Sequence, residues 1–209
     1  MKFEKEFKDA IANLPSKEKD KLLLRLLKKD LALANQLNFQ FVSTDSVENR
    51  REQYKRSLVM GIKRMTKAFY SPGYLMMDIR ELSGQINEHV SITKDKYGEI
   101  LLNIFLLKES LRLNNKNLKN HKIGKTHKLY VYILNKLFKI LTLINALHED
   151  LKLEFEEPLS NLANIISENH ALMQTAIQNG FDPNWLHIDN IPSDIKKIQK
   201  EIKSQGFLK

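Results

Sequence analysis

Apolar residues recur along nearly the whole chain at the three-to-four-residue spacing of an amphipathic helix, and few runs alternate as a half-buried strand would. The pattern predicts an all-α fold. Phe3, Phe7 and Ile11 define a short first helix over 2–13, which Pro15 stops; Ser16 is placed to cap the next. Leu22, Leu23, Leu24, Leu26 and Leu27 make that second helix apolar nearly all round, so it is expected to be buried. Leu31, Ala34, Leu37 and Phe41 continue the stripe. Asp45, with Glu48 three residues on, has the form of a capping box opening a long helix to about Tyr70.

Ser71-Pro72-Gly73 predicts a tight turn, so a helix over 74–91 should return antiparallel with Leu75, Ile79, Leu82, Ile86 and Val90 facing the core. Thr93 is the expected cap of a fourth helix, whose inward set is Tyr97, Leu101, Ile104, Leu107 and Leu111. A long Asn- and Lys-rich loop is expected over 114–124. Beyond it, 125–152 is the most hydrophobic helix, about 42 Å long, polar only along the line Lys128, Asn135, Lys139 and Thr142. It is expected to be the central helix, with Tyr132, Leu134, Leu137, Phe138, Leu141 and Ile144 among the most buried positions. Glu154, Glu156, Glu157 and Pro158 mark a boundary between a main domain, 1–153, and a smaller acidic part, 154–209, unless the chain is one domain throughout. In that last part a helix over 159–179 should end at Gly180 as its C′ residue, Asp182 to Trp185 should turn, and Ser193 should cap the final helix. Antiparallel hairpins of this kind pack as a bundle or a short solenoid. The stretch Tyr70-Ser71-Pro72-Gly73-Tyr74-Leu75-Met76-Met77-Asp78 resembles an uncharacterised family of small all-helical bacterial proteins, over roughly residues 14–113. The resemblance implies nothing about mechanism.

Composition narrows the class. The chain has 209 residues, 42% hydrophobic and 28% charged, enough for one full-sized domain or two small ones. It has no cysteine, which removes disulfides, thiolate ligands and thiol nucleophiles and fits a reducing compartment. Glu4, Glu6 and Asp9 among the first lysines do not read as a targeting segment, so a cytoplasmic location is expected. The apolar run 129–147 is broken by Lys136 and Lys139, which argues against a membrane span.

The formal charge of +9 is uneven: +7 over 1–72, +5 over 73–153 and −3 over 154–209. Lys116, Lys119, Lys122, Lys125 and Lys128 recur every third residue, with His121 and His127 between them and no acidic residue from Ser110 to Leu147. On the helix before the turn, Arg56, Lys63 and Lys67 fall within about 40° of one another, with Arg64 nearby and Tyr54, Leu58, Ile62, Met65 and Phe69 opposite. These are the candidate contacts for an anion or a nucleic acid. Asp78, Glu81 and Glu88 form an acidic line on the following helix, and Lys67 with Asp78 is the expected closest pair. Gly61 hints at close packing or a bend.

Catalytic signatures are missing. Gly124-Lys125-Thr126 has Lys119 where a phosphate-binding loop needs its first glycine. No histidine has a glutamate at the i, i+3 spacing of a helical di-metal site, and no serine sits in a Gly-x-Ser-x-Gly elbow. No cofactor or metal is expected. The leading expectation is a non-enzymatic helical interaction or scaffold module with a protein partner or a second copy. The runner-up is weak, sequence-independent nucleic-acid binding through the lysine loop. Third is an enzyme with a site between helices.

Overall fold

Helical periodicity governs the whole chain. The computed structural model describes residues 3–209, and among them there is no strand. The helices are α1 (Lys5–Ala12), α2 (Ser16–Leu27), α3 (Leu31–Phe41), α4 (Val47–Lys67), α5 (Pro72–Thr93), α6 (Lys96–Lys119) and α7 (Ile123–Asn145). They continue as α8 (Glu149–Lys152), α9 (Glu156–Ser167), α10 (His170–Gln178) and α11 (Ile195–Ser204), with short 3₁₀ turns at Leu153–Phe155, Pro183–Leu186 and Ile188–Asn190.

Local chemistry sets the ends. Ser46, not Asp45, caps α4: its hydroxyl accepts the Asn49 N–H at 3.1 Å. Ser71 caps α5, with Pro72 at the first helical position, where its missing N–H costs nothing. Lys94 closes α5 in left-handed geometry, and Asp95, not Thr93, caps α6 by accepting the Gly98 N–H at 2.8 Å. Gly180 takes φ +73°, and the Phe181 N–H bonds back to the Ala176 carbonyl, so α10 ends in a Schellman motif as expected. The expected single helix over 159–179 is instead α9 and α10, because Asn169 interrupts it to cap α10 through Leu172 N–H. Asp194 precedes the last helix in the cap position that Ser193 was expected to hold.

The expected long loop over 114–124 is helix. α6 runs through Lys119 and α7 starts at Ile123, leaving a three-residue corner. Asn114, the loop's expected start, is fully buried and bonds back to Ser110 O and across to Thr66 on α4. The 125–152 helix ends early, at Asn145, and the acidic stretch after it is also helical, with Phe155 fully buried under Glu154 and Glu156. One continuous buried cluster runs from Leu58 to Leu208.

α4 and α5 form the antiparallel hairpin the turn predicts: Tyr54 stacks on His89, and Gly61 meets Leu82. A Cβ on Gly61 would lie 2.6 Å from a Leu82 methyl, so close packing explains this glycine. α6 packs against α4, α5, α7 and α9; α7 packs against α5, α6, α10 and α11. Contacts such as α6 with α9 and α7 with α11 join elements far apart in sequence, which makes a bundle, since a solenoid repeat touches its neighbours alone. The centre is therefore shared by two helices. α7 buries Leu134, Leu137, Phe138, Leu141 and Ile144 completely, with Tyr130 rather than Tyr132 as its fully buried tyrosine. Its polar line divides: Lys128 is exposed, Lys139 turns to Glu99 on α6, and Asn135 meets the C-terminal segment, donating to Leu208 O and accepting from Gln199. Asn145, off that line, donates to Pro192 O at 2.6 Å.

The second helix departs most from expectation. α2 buries nothing, and Leu23, Leu24 and Leu26 are 55, 59 and 52% exposed. α1 and α3 bury nothing either, although α3 lies on α5. Truncating Leu137 to Ala should therefore destabilise the fold by about 2–5 kcal/mol. The same change at Leu24 should stay within about 0.5 kcal/mol. Urea denaturation of the two variants checks the contrast.

Candidate functional site

The polar residues of the molecule gather in four places. The first is a buried ion cluster where α4, α5 and α6 meet. Asp95 is taken up on all sides: Arg51 Nε and Nη2 donate to its two oxygens at 2.7 and 2.9 Å, Gly98 N–H donates at 2.8 Å, and His89 Nε2 lies 3.1 Å from Oδ2. Because its partner is a carboxylate, Nε2 carries the imidazole proton. Burial alone would lift the Asp95 carboxyl, but the hydrogen bonds from His89, Arg51 and Gly98 overcome it and hold its pKa well below the ordinary range. The Arg51 guanidinium lies over the Tyr97 ring, and Tyr97 donates to Glu154 at 2.6 Å. A Cβ on Gly98 would fall onto Asp95 and Arg51, so the ion pair requires glycine here. His89 is fully buried and its Nδ1 has no partner. The cluster binds three helices together.

The second is a half-buried ammonium. Lys136 on α7 donates to Ser83 on α5 and to Asn103 on α6, and lies 6.0 Å from the Tyr132 ring centre. Burial, helped by the nearby Lys139 charge, lowers its pKa to about 8 against the pull of Glu99. Lys139 pairs with Glu99 at 2.5 Å. The sequence pattern treats Lys136 as an interruption of an apolar face; in the fold it ties α5, α6 and α7.

The third place holds the lysines singled out by spacing. Lys116 and Lys119 sit on the last turns of α6, Lys122 stands at the start of α7, and Lys125 and Lys128 lie on its first turns. All five are exposed, and none is in an ion pair among the described residues. The end of α4 packs against the same corner, through Thr66 with Asn114 and Phe69 with His121, so Lys67 belongs to this end of the bundle. Arg56 and Lys63 are exposed farther along α4. None of the three pairs with the acidic line of α5. Arg64 reaches Glu81 instead, at 3.9 Å, because it lies on the flank of α4 that meets α5. Asp78, expected beside Lys67, has no ion pair among the described residues, and burial and then the Glu81 charge raise its pKa.

The fourth is a cleft of about 240 Å³ between α4, α6 and α9, floored by Leu101, Phe105 and Pro158 and rimmed by Arg51, Lys55, Lys108, Glu52 and Glu157. Neither Asp95 nor His89 lines it. No group of three or more His, Asp or Glu side chains is placed to hold a metal ion among the described residues. No helix among them is long and apolar enough to cross a membrane.

The largest surface feature lay outside the candidate residues. Helices α1–α3 and the residues that flank them carry Phe3, Phe7, Ile11, Leu23, Leu24, Leu26, Leu31, Leu33, Phe41 and Val42, each between 39 and 73% exposed. Phe3 and Phe7 pair with ring centres 5.5 Å apart, and α1 has no buried residue. Spacing alone assigns the leucines of α2 to the core and Phe3, Phe7 and Ile11 to the stripe of a short amphipathic helix; in the fold both sets are exposed.

Stability should follow pH at both ends. The folded Asp95 pKa lies below the unfolded value, so its contribution is present above about pH 4 and is lost as pH falls further. The folded Lys136 pKa of about 8 lies below its unfolded value, so the unfolded chain holds more protons above pH 8 and stability rises from there toward pH 10. Asp95→Ala should reduce the acid sensitivity and cost about 3–5 kcal/mol at pH 7, because it strands the Arg51 charge. Urea denaturation of both proteins from pH 3 to pH 10 measures each effect. No known protein family, curated protein or solved structure matches this chain.

Proposed function

We propose that the protein is a helical interaction module whose docking surface is the N-terminal arm α1–α3. One observation carries the reading: three successive helices bury no residue, yet they and their flanking residues Phe3 and Val42 display ten large apolar side chains. Their summed exposed area is roughly 1,000 Å², taking about 200 Å² for a whole side chain, spread over the three helices. Helices of 8, 12 and 11 residues are marginal on their own, so a partner that covers the leucines also supplies the packing that holds them. The body supplies a rigid platform through α3 on α5. A photo-crosslinking residue at Leu23, 55% exposed on α2, in the full chain expressed in cells should give discrete protein adducts. The same residue at Ile177, 65% exposed on α10, should give none. Equal labelling at both sites, or no adduct at Leu23, would sink the reading.

A second reading has its own observation. Lys116, Lys119, Lys122, Lys125 and Lys128 converge with Lys67 at the α6–α7 corner without carboxylate partners among the described residues. Ammonium groups arranged this way contact phosphates without reading bases. Binding of a labelled oligonucleotide should be independent of sequence and fall steeply between about 50 and 200 mM salt. Binding that survives high salt, or that prefers one sequence, would contradict it.

A further inference from the structure

We propose that α2 pairs with α2 of a second copy of this chain, antiparallel about a two-fold axis that passes between Leu24 and Arg25. The inference rests on the arm being a docking surface and names what covers it.

The apolar face of α2 reads the same in both directions. Leu22-Leu23 and Leu26-Leu27 flank the central Leu24-Arg25. At 100° per residue, Leu23 and Leu26 lie between Leu22 and Leu27 around the helix. Leu22 and Leu27 are half-buried, while Leu23 and Leu26 are 55 and 52% exposed, so the uncovered ridge is the middle of the face. Turning a second copy about the midpoint sets Leu23 on Leu26 and Leu22 on Leu27, and symmetry repeats each contact. An interface between identical surfaces requires such self-complementarity. Neighbouring registers lose it: pairing Leu23 with its own copy sets Leu26 on Asp20, and pairing Leu26 with its own copy sets Leu23 on Lys29.

Charge agrees with the same register. It places Lys19 opposite Asp30 and Glu18 beside Lys29, opposite signs in both cases, each occurring twice. Glu18, Lys29 and Asp30 are exposed and form no ion pair within the chain among the described residues. Lys19 holds the Ala12 carbonyl and is also exposed. Asp30 spends one oxygen on the Leu33 N–H and keeps the other free.

Sedimentation velocity of the full chain over a concentration series tests this. The wild type should run as a dimer. Leu23→Glu with Leu26→Glu should run as a monomer whose body stays folded by near-ultraviolet circular dichroism, since neither side chain lies in the buried core; its melting temperature should fall by no more than the stabilisation that pairing gives. Glu18→Lys and Lys29→Glu should each weaken the dimer about ten-fold, and the double exchange should restore it to within about three-fold of wild type. A partner of different sequence has no reason to be rescued by an exchange within this chain. A wild-type monomer at about 100 µM, above the dissociation constants typical of stable interfaces, overturns the proposal, as does a dimer indifferent to the leucine changes or a charge exchange that does not rescue. If the wild type is monomeric and Leu23 crosslinks to a different protein, self-pairing fails and the docking role of the arm stands. If Leu23 crosslinks to nothing, both fail.

Discussion

Two helices with apolar residues around most of their circumference must be covered on every side, and the arrangement of this protein follows from that requirement. α6 and α7 are such helices, adjacent in sequence and antiparallel through a three-residue corner. Each can cover one side of the other. The α4–α5 hairpin closes over both, and α9, α10 and α11 close the sides that remain. Once they are in place the core is complete, with Leu134, Leu137, Phe138 and Leu141 wholly shielded. The later helices close the core without α1 and α2, which bury no residue against them. The apolar side chains the body leaves exposed, Met60, Met77 and Ile177 among them, are not covered by the arm.

A core assembled from many short contacts needs something to fix which helices meet where, because hydrophobic burial is non-directional. The polar groups supply that. Asp95 accepts from α4, α5 and the start of α6 at once, and each of those donors would be stranded if the helices slid. Lys136 does the same for α5, α6 and α7 with its three protons, and Asn135 and Asn145 hook the C-terminal segment onto α7. Each is strained electrostatically: a buried carboxylate on one side, an ammonium losing hydration on the other. Both are tolerated because their partners lie at hydrogen-bonding distance. Specific registration, more than net stability, is what such groups contribute.

Helix periodicity made the fold class legible from sequence, as well as the α4–α5 hairpin and most of the core stripe, because the three-to-four-residue pattern is written in each helix separately. Leu58, Ile62, Leu75, Ile79 and Leu82 are buried where spacing alone placed them. Boundaries were less legible, since a cap depends on which of several neighbouring side chains turns inward; Asp45 and Thr93 had the right chemistry, but Ser46 and Asp95 have the geometry. The false loop over 114–124 has the same origin. Asparagine and lysine suggest a turn, but a buried Asn114 with a partner on another helix reads identically to an exposed one until that partner is known. Arg51 and Asp95 are 44 residues apart, and no local pattern joins them.

The misreading of α2 is the most instructive of these, because the sequence statement behind it was sound. A helix apolar nearly all round is stable only when covered. In a single chain the covering must come from that chain, and here it does not. The contradiction disappears if the unit that folds to completion is larger than one chain. On the pairing proposed above, local pattern and single-chain structure disagree for a physical reason: the pattern would encode burial in the assembled state, of which one chain displays its own half. Apolar side chains kept at the surface carry a standing risk of nonspecific aggregation. The mixed charges that ring this face, Lys17, Glu18, Lys19, Asp20 and Lys21 at one end and Lys28, Lys29 and Asp30 at the other, restrict which surfaces can approach it. An apolar stripe chooses no register, and the charges at its two ends do.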